Sequence, residues 1–408
     1  MTPSRRAFLA VVGSGSALLA GCSQFPGDDS GASLEPSEPP ESGVDEAPDP
    51  RNDVHGADGS WSSFGCNAAN TRAVGDGEAP VDGVSERWRV PVAEVGFTEP
   101  IVADERVYFV ENRGLRVFDA DDGSELWTVE DVEKPPLLLE GTVYVATYEG
   151  VSALDIDTGN EIWSRELDAP GSVTAPAAIG THTVSCGIGE RVVALDPEDG
   201  TERWHRDAFG QLLDHPAALG VRGVAVATEA GMVDAVGERG VAHDRWELPA
   251  RPSGPLTADT DTVYVPCDDG ETYALAVGDG GDTVSKTAWS AETGHVSTGL
   301  AVADDVVLAV AGNTLRAIDA DSGQRRWEFG VGDSSRTAPI VSRETVFVGG
   351  DRLWALDPAP TGDPSDGPAV RFEREFEGSV GRGPVLDDGV LYVVAEVDDG
   401  EAALLALE

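Results

Sequence analysis

The chain has 408 residues, and its 28 Lys and Arg stand against 74 Asp and Glu, giving a formal net charge of −46. A surface this acidic repels nucleic-acid phosphates and anionic lipid headgroups, which excludes nucleic acid as a partner and any electrostatic hold on a membrane. Lysine is nearly absent, with only Lys134 and Lys286. Molar salt, which shortens the Debye length to about 3 Å, would relieve the self-repulsion, so the composition points to an extreme halophile, an archaeon. An acidic extracellular protein of a mesophile is the alternative.

Residues 1–21 read as a signal peptide rather than as part of the fold. Ser4-Arg5-Arg6-Ala7-Phe8-Leu9 has the form of a twin-arginine export signal, and the apolar stretch from Ala7 to Ala20 is too short to span a bilayer. Leu19-Ala20-Gly21-Cys22 resembles the lipobox of bacterial and haloarchaeal lipoproteins, in which the cysteine is lipidated and the chain is cut just before it. Cys22 is therefore the expected lipidation site, with Arg5 and Arg6 carrying the export signal. Residues 22–60 are rich in Pro, Asp, Glu, Ser and Gly and nearly free of aromatics, so they cannot bury a core. A flexible acidic tether of that length has a root-mean-square span of roughly 35 Å. The expectation is a folded domain over 61–408, exported by the twin-arginine route. Its lipid would anchor it on the outer face of the cytoplasmic membrane, as its sole membrane contact.

From Trp88 onward a unit of about 40 residues comes round eight times. It opens on a proline, continues through a V-Y-V type strand, and in its fullest form ends A-x-D-x-x-x-G-x-x-x-W. Pro100 leads to Trp127, Pro136 to Trp163, Pro176 to Trp204, Pro216 to Trp246 and Pro255 to Trp289. Gly299 stands near the place of the sixth proline, and that unit ends on Trp327. Pro339 leads to a last strand over residues 370–375 with Phe372 in the tryptophan place. Pro384 opens a unit that stops at Glu408 without its fourth strand, while Trp88 lies in a strand with no blade before it. Several strands per unit at this period predict an all-β, eight-bladed β-propeller of four-stranded antiparallel blades. The N-terminal strand around Trp88 is expected to complete the last blade and close the ring, removing open sheet edges. The tryptophans are expected between blades, near the rim.

The acidic turns resemble a calcium loop. Asp119, Asp121 and Glu130 fall at ligand places of an EF-hand, but Gly123 sits at the fifth position, where a ligand is needed. The better reading is a hairpin turn, the first aspartate capping backbone N–H groups and the glycine supplying positive φ. With Cys22 assigned to lipid, Cys66, Cys186 and Cys267 remain; three cannot all pair, so no disulfide framework is expected. Cys186 and Cys267 lie in strand-like stretches and read as small buried residues. No C-x-x-C or Cys/His cluster suggests a metal site.

The Leu-Asp-x-x-x-Gly-x-x-x-Trp unit, as in Leu154–Trp163 and Leu195–Trp204, resembles the PQQ-like repeat. That family is an eight-bladed β-propeller that includes quinoprotein dehydrogenases and BamB-like lipoproteins. The W-x-x-F-x-x-x-x-x-x-T pattern from Trp61 to Thr71 resembles the leading segment of its non-enzymatic members. The dehydrogenases hold PQQ under a ring of two adjacent cysteines, beside calcium bound by Glu, Asn and Asp. Here there is no Cys-Cys, no C-x-x-C-H and no long insert. The resemblance thus implies a protein- or ligand-binding scaffold without catalysis or cofactor. The alternative is a PQQ-dependent alcohol or sugar dehydrogenase with a degenerate site, using PQQ and calcium.

In a propeller the starts of the inner strands ring the central channel. The residues before each opening proline or its equivalent are Glu99, Lys134, Asp214-His215, Gly254, Thr298, Arg336 and Gly381-Arg382. Lys134, His215, Arg336 and Arg382 would make one mouth of the channel a cationic exception in an acidic molecule, a candidate site for a carboxylate, an anionic metabolite or an acidic partner segment. Alternatively they pair with Glu99 and Asp214 and merely close the channel. The expected partner is a protein or a small anionic ligand at the cell surface, bound by a monomer.

Overall fold

The computed structural model describes residues 61–74, 79–95, 98–169, 171–180, 182–219, 222–259, 261–278, 286–303, 305–332, 337–342, 345–358 and 367–408. The export signal at Arg5 and Arg6, the lipidation site Cys22, the tether and Arg336 lie outside the described residues.

Strand β1 (Glu86–Val92) is followed by the first blade, β2 (Ile101–Ala103), β3 (Arg106–Glu111), β4 (Gly114–Asp119) and β5 (Glu125–Glu130). The same four-strand meander recurs, with inner strands β6 (Leu137–Leu139), β10 (Ala177–Ile179), β14 (Ala217–Ala218), β18 (Thr257–Ala258), β22 (Leu300–Ala303), β26 (Ile340–Val341) and β30 (Val385–Asp387). The strands form eight four-stranded antiparallel sheets, the blades of an eight-bladed β-propeller. The eighth runs β30, β31 (Val390–Glu396), β32 (Ala402–Leu407) and then β1, so the N-terminal strand closes the ring as the repeat count predicted. Trp88 pairs with Ala406 in this seam, and Ser85 and Glu408 exchange backbone hydrogen bonds of 2.7 and 2.9 Å.

The consensus residues explain how blades stack. Within a blade, the V-Y-V tyrosine and the outer tryptophan share one cross-strand row, since side chains on one face repeat every second residue. Tyr144 lies opposite Ala153, which lies opposite Trp163, and the two rings sit 5.9 Å apart. Tyr108 and Trp127, Tyr264 and Trp289, and Tyr392 and Trp88 repeat the pairing, and Phe347 with Phe372 is its phenylalanine version. The small residue between them lets the rings meet.

Between blades, Trp88, Trp127, Trp163, Trp204 and Trp289 each cap the next blade's turn. The indole N–H of Trp88 donates to the carbonyl of Ala120 at 2.8 Å, Trp127 to Ile156 at 3.1 Å, Trp163 to Pro197 at 2.9 Å and Trp289 to Ala320 at 2.8 Å. Each of these rings lies on the glycine of the turn that it caps. A Cβ on Gly123 would come within 2.8 Å of Trp88, and one on Gly159 within 2.6 Å of Trp127. The turns themselves are as the spacing predicts. Asp119 accepts the Asp121 N–H at 2.8 Å, Asp155 the Thr158 N–H at 3.0 Å and Asp319 the Ser322 N–H at 2.8 Å.

Blade four departs from the consensus. Asp244, not Trp246, stands opposite Ala235 in the row that other blades give to tryptophan. Trp246 is buried two residues further along the strand, opposite Val233. The spacing shows why: Gly240 precedes Asp244 by four residues, as Gly200 precedes Trp204. Trp246 is therefore a core residue of its blade outside the repeated row. Cys66, Cys186 and Cys267 are all buried, and none is joined in a disulfide among the described residues. Burial pushes the Cys186 and Cys267 thiols up to about 12.

Candidate functional site

The inner strands are short and buried, and neighbours face one another around the ring, β30 against β2, β6 against β10 and β10 against β14. What they enclose is the chain's own segment 61–74, whose residues are buried throughout. Trp61 bonds to Val102 of β2 at 2.9 Å, Ser62 to Leu138 of β6 at 2.8 Å, and Ala68 to Ala218 of β14 at 2.6 Å. Ala69 bonds to Ala258 of β18, Thr71 to Val302 of β22 and Arg72 to Val341 of β26, at 2.8–2.9 Å. A segment bonded in turn to six inner strands runs across the inside of the ring. The W-x-x-F pattern marked this stretch as a leading segment, and nothing in the pattern indicated that it plugs the channel.

The plug is held in a tight coil by its own polar side chains. The Asn67 amide donates to Thr71 Oγ1 at 2.6 Å and its carbonyl accepts the Ala69 N–H at 3.0 Å. Asn70, at φ 59°, donates to the carbonyls of Leu256 at 2.9 Å and Pro216 at 3.2 Å. Asparagine tolerates this left-handed conformation better than most residues.

The charged residues singled out from sequence gather around one end of this plug. Glu99 is buried, with Oε2 on the Arg72 guanidinium and Oε1 accepting the Gly65 N–H at 2.8 Å. Arg72 also lies over the rings of Phe64, at 5.1 Å, and Trp61, at 5.9 Å. Phe64 stacks on His215 with centroids 3.6 Å apart. Burial and then the positive charges of Arg382, Lys134 and Arg72 hold His215 well below the usual imidazole range, so it is neutral. Lys134 Nζ donates to Asp214 Oδ2 at 2.7 Å, at the half-exposed edge. Arg382 is half-buried; burial lowers its pKa, with Glu99, Arg72 and Asp214 all within its field. It forms no ion pair among the described residues.

Glu99, Lys134, Asp214, His215 and Arg382 are thus brought together. The pairing alternative describes Lys134 with Asp214. Glu99 instead pairs with Arg72, a residue the inner-strand rule does not reach because it lies in the plug. Its one sequence signal is position, one residue beyond the W-x-x-F pattern.

His215 gives a testable pH dependence. The ordinary histidine pKa is about 6.5, and the folded value is depressed. Above pH 6.5 or so both states are neutral and His215 adds no slope. As pH falls below it, the unfolded chain gains a proton that the folded chain refuses, so stability is lost downward. Denaturant midpoints measured between pH 7 and pH 5, a window of about two units below and around the ordinary value, are expected to fall more steeply in the native chain than in His215→Asn.

The residues present do not fit PQQ with calcium. The three cysteines of the described chain are non-adjacent and buried. No group of His, Cys, Asp and Glu among the described residues could hold a metal ion. The buried carboxylate Glu99 has both oxygens engaged by Arg72 and Gly65.

The sequence matches the family described as outer membrane protein assembly factor BamB over residues 80–175 and 147–360. No curated protein matches it. Among solved structures, BamB from Moraxella catarrhalis is similar at 16% identity and TM-score 0.61, over 80% of this chain and 100% of that one. Quinohemoprotein alcohol dehydrogenase from Comamonas testosteroni is similar at 14% identity and TM-score 0.64, over 85% of this chain and 80% of that one. A europium-containing methanol dehydrogenase is similar at 13% identity and TM-score 0.61, over 86% of this chain and 98% of that one. At such identities the likeness is one of fold.

Proposed function

This chain belongs to the family of the outer membrane protein assembly factor BamB, and from that premise we propose that it is a non-catalytic binding scaffold. In this reading Cys22 carries the lipid, the twin arginines Arg5 and Arg6 direct export, and the propeller stands off the outer face of a haloarchaeal cytoplasmic membrane on its acidic tether. Its partner is a protein or a small anionic ligand.

The observation that carries the reading is the filled channel. The buried carboxylate Glu99 is already bound by the chain's own Arg72, beside residues 61–74 that pack against six inner strands. A ring closed by β1 and packed by residues 61–74 is a rigid platform whose loops and mouth remain for recognition. The testing experiment mixes purified protein with PQQ and calcium and follows the quinone absorbance and dye reduction with alcohols and sugars. No dye reduction is expected. Tight binding with turnover would replace the scaffold by the dehydrogenase reading.

A further inference from the structure

Among the described residues, the end of the plug gathers three cations, Arg72, Lys134 and Arg382, and two carboxylates. Glu99 lies on Arg72, and Asp214 lies on Lys134 at 2.7 Å. Arg382, presented just before β30, has neither carboxylate nor other ion partner among the described residues, although Glu99, Asp214 and Arg72 all lie within its field. We propose that this mouth is a carboxylate-binding site, with Arg382 as the primary anchor and Lys134 as a second cation. The proposal rests on the scaffold reading and names the chemistry of its ligand.

Three physical points support it. A half-buried guanidinium has lost part of its hydration, and a planar carboxylate replaces that hydration with two parallel charge-assisted hydrogen bonds. The two neighbouring cations each hold a carboxylate already, so the surroundings suit that group in particular. Finally, the molecule as a whole carries −46, so an anion is repelled from most of its surface and drawn to a local excess of positive charge. His215 stays neutral in this field and leaves the balance to the arginine and the lysine.

The carboxylate has two sources, a free organic acid or an Asp or Glu side chain of a protein partner. Calorimetric titration of the whole protein with succinate, and separately with a short Glu-Gly peptide, at fixed ionic strength in potassium chloride, separates them. Binding of succinate identifies the free acid, and binding of the peptide alone identifies the acidic side chain. In either case Arg382→Gln is expected to weaken binding by roughly tenfold or more. Asp214→Asn, which removes the internal competitor for Lys134, is expected to strengthen it. Opposite signs from two neighbouring substitutions do not arise from misfolding. The proposal is overturned if neither probe binds, if the two variants shift affinity in the same direction, or if chloride displaces succinate at equal concentration. Dye reduction in the quinone assay is independent of all three outcomes, so the carboxylate site can fail while the scaffold stands.

Discussion

Glu99→Ala is expected to destabilise the protein by about 3–5 kcal/mol, the usual penalty for leaving one member of a buried ion pair alone. Both side chains of the Arg72–Glu99 pair are almost fully buried, at 1% and 0% exposure. Losing the carboxylate strands a guanidinium whose Nε and Nη1 already lack partners, and it also frees the Gly65 N–H. The plug then loses one of its ties to the first blade, and keeps the bond between Trp61 and Val102. The compensating change Arg72→Met with Glu99→Leu removes both charges from the channel and is expected to recover most of the loss, because a buried pair replaced by apolar groups is often neutral or better. Chemical denaturation of the native chain and the two variants in one salt concentration measures this. Equal destabilisation of the single and double variants would show that the plug depends on the charges for something other than their mutual neutralisation.

The second large effect lies at the rim. Trp88→Ala is expected to cost about 3–5 kcal/mol, since the ring is buried and its indole caps the turn of the first blade. Gly123→Ala attacks the same contact from the other side, placing a Cβ 2.8 Å from the indole at φ 72°. Gly141 provides the control, with φ 77° and nothing within 4 Å of its would-be Cβ. Gly141→Ala then reports the backbone penalty alone, roughly 1–2 kcal/mol. Gly123→Ala is expected to exceed it by a further 1–3 kcal/mol or so from overpacking. In the double variant Trp88→Ala with Gly123→Ala the two losses are expected to sum to less than their total, because the clash needs both groups. Strict additivity would mean that ring and glycine act separately.

These two regions differ in how legible they were. The rim contact is written into four units as D-x-x-x-G-x-x-x-W, those ending at Trp127, Trp163, Trp204 and Trp327, with the turn aspartate, the glycine that makes room and the tryptophan of the outer strand. Recurrence makes such a pattern readable, but counting tryptophans placed Trp246 in the repeated row, which Asp244 holds in blade four. The charged mouth was partly legible. The rule of reading the residue before each inner strand found Glu99, Lys134, Asp214, His215 and Arg382, because the ring symmetry of the fold sets those starts side by side. It did not find Arg72 or Phe64, and so the pairing alternative gave Glu99 a cation at the inner-strand starts instead of Arg72.

By itself the sequence determined the blade count, the closing strand at Trp88 and the turn chemistry. These rest on short-range periodicity and on residue types whose backbone preferences are local. Only the tertiary structure decided where residues 61–74 go, and with them the partner of Glu99, the neutral state of His215 and the lack of an ion partner for Arg382 among the described residues. That segment occurs once, has no period, and makes its contacts with residues far along the chain, from 27 positions away for Arg72 with Glu99 to Val341 of β26, which bonds to Arg72. Its position follows from the shape of a closed ring, which exists only after all eight blades are in place.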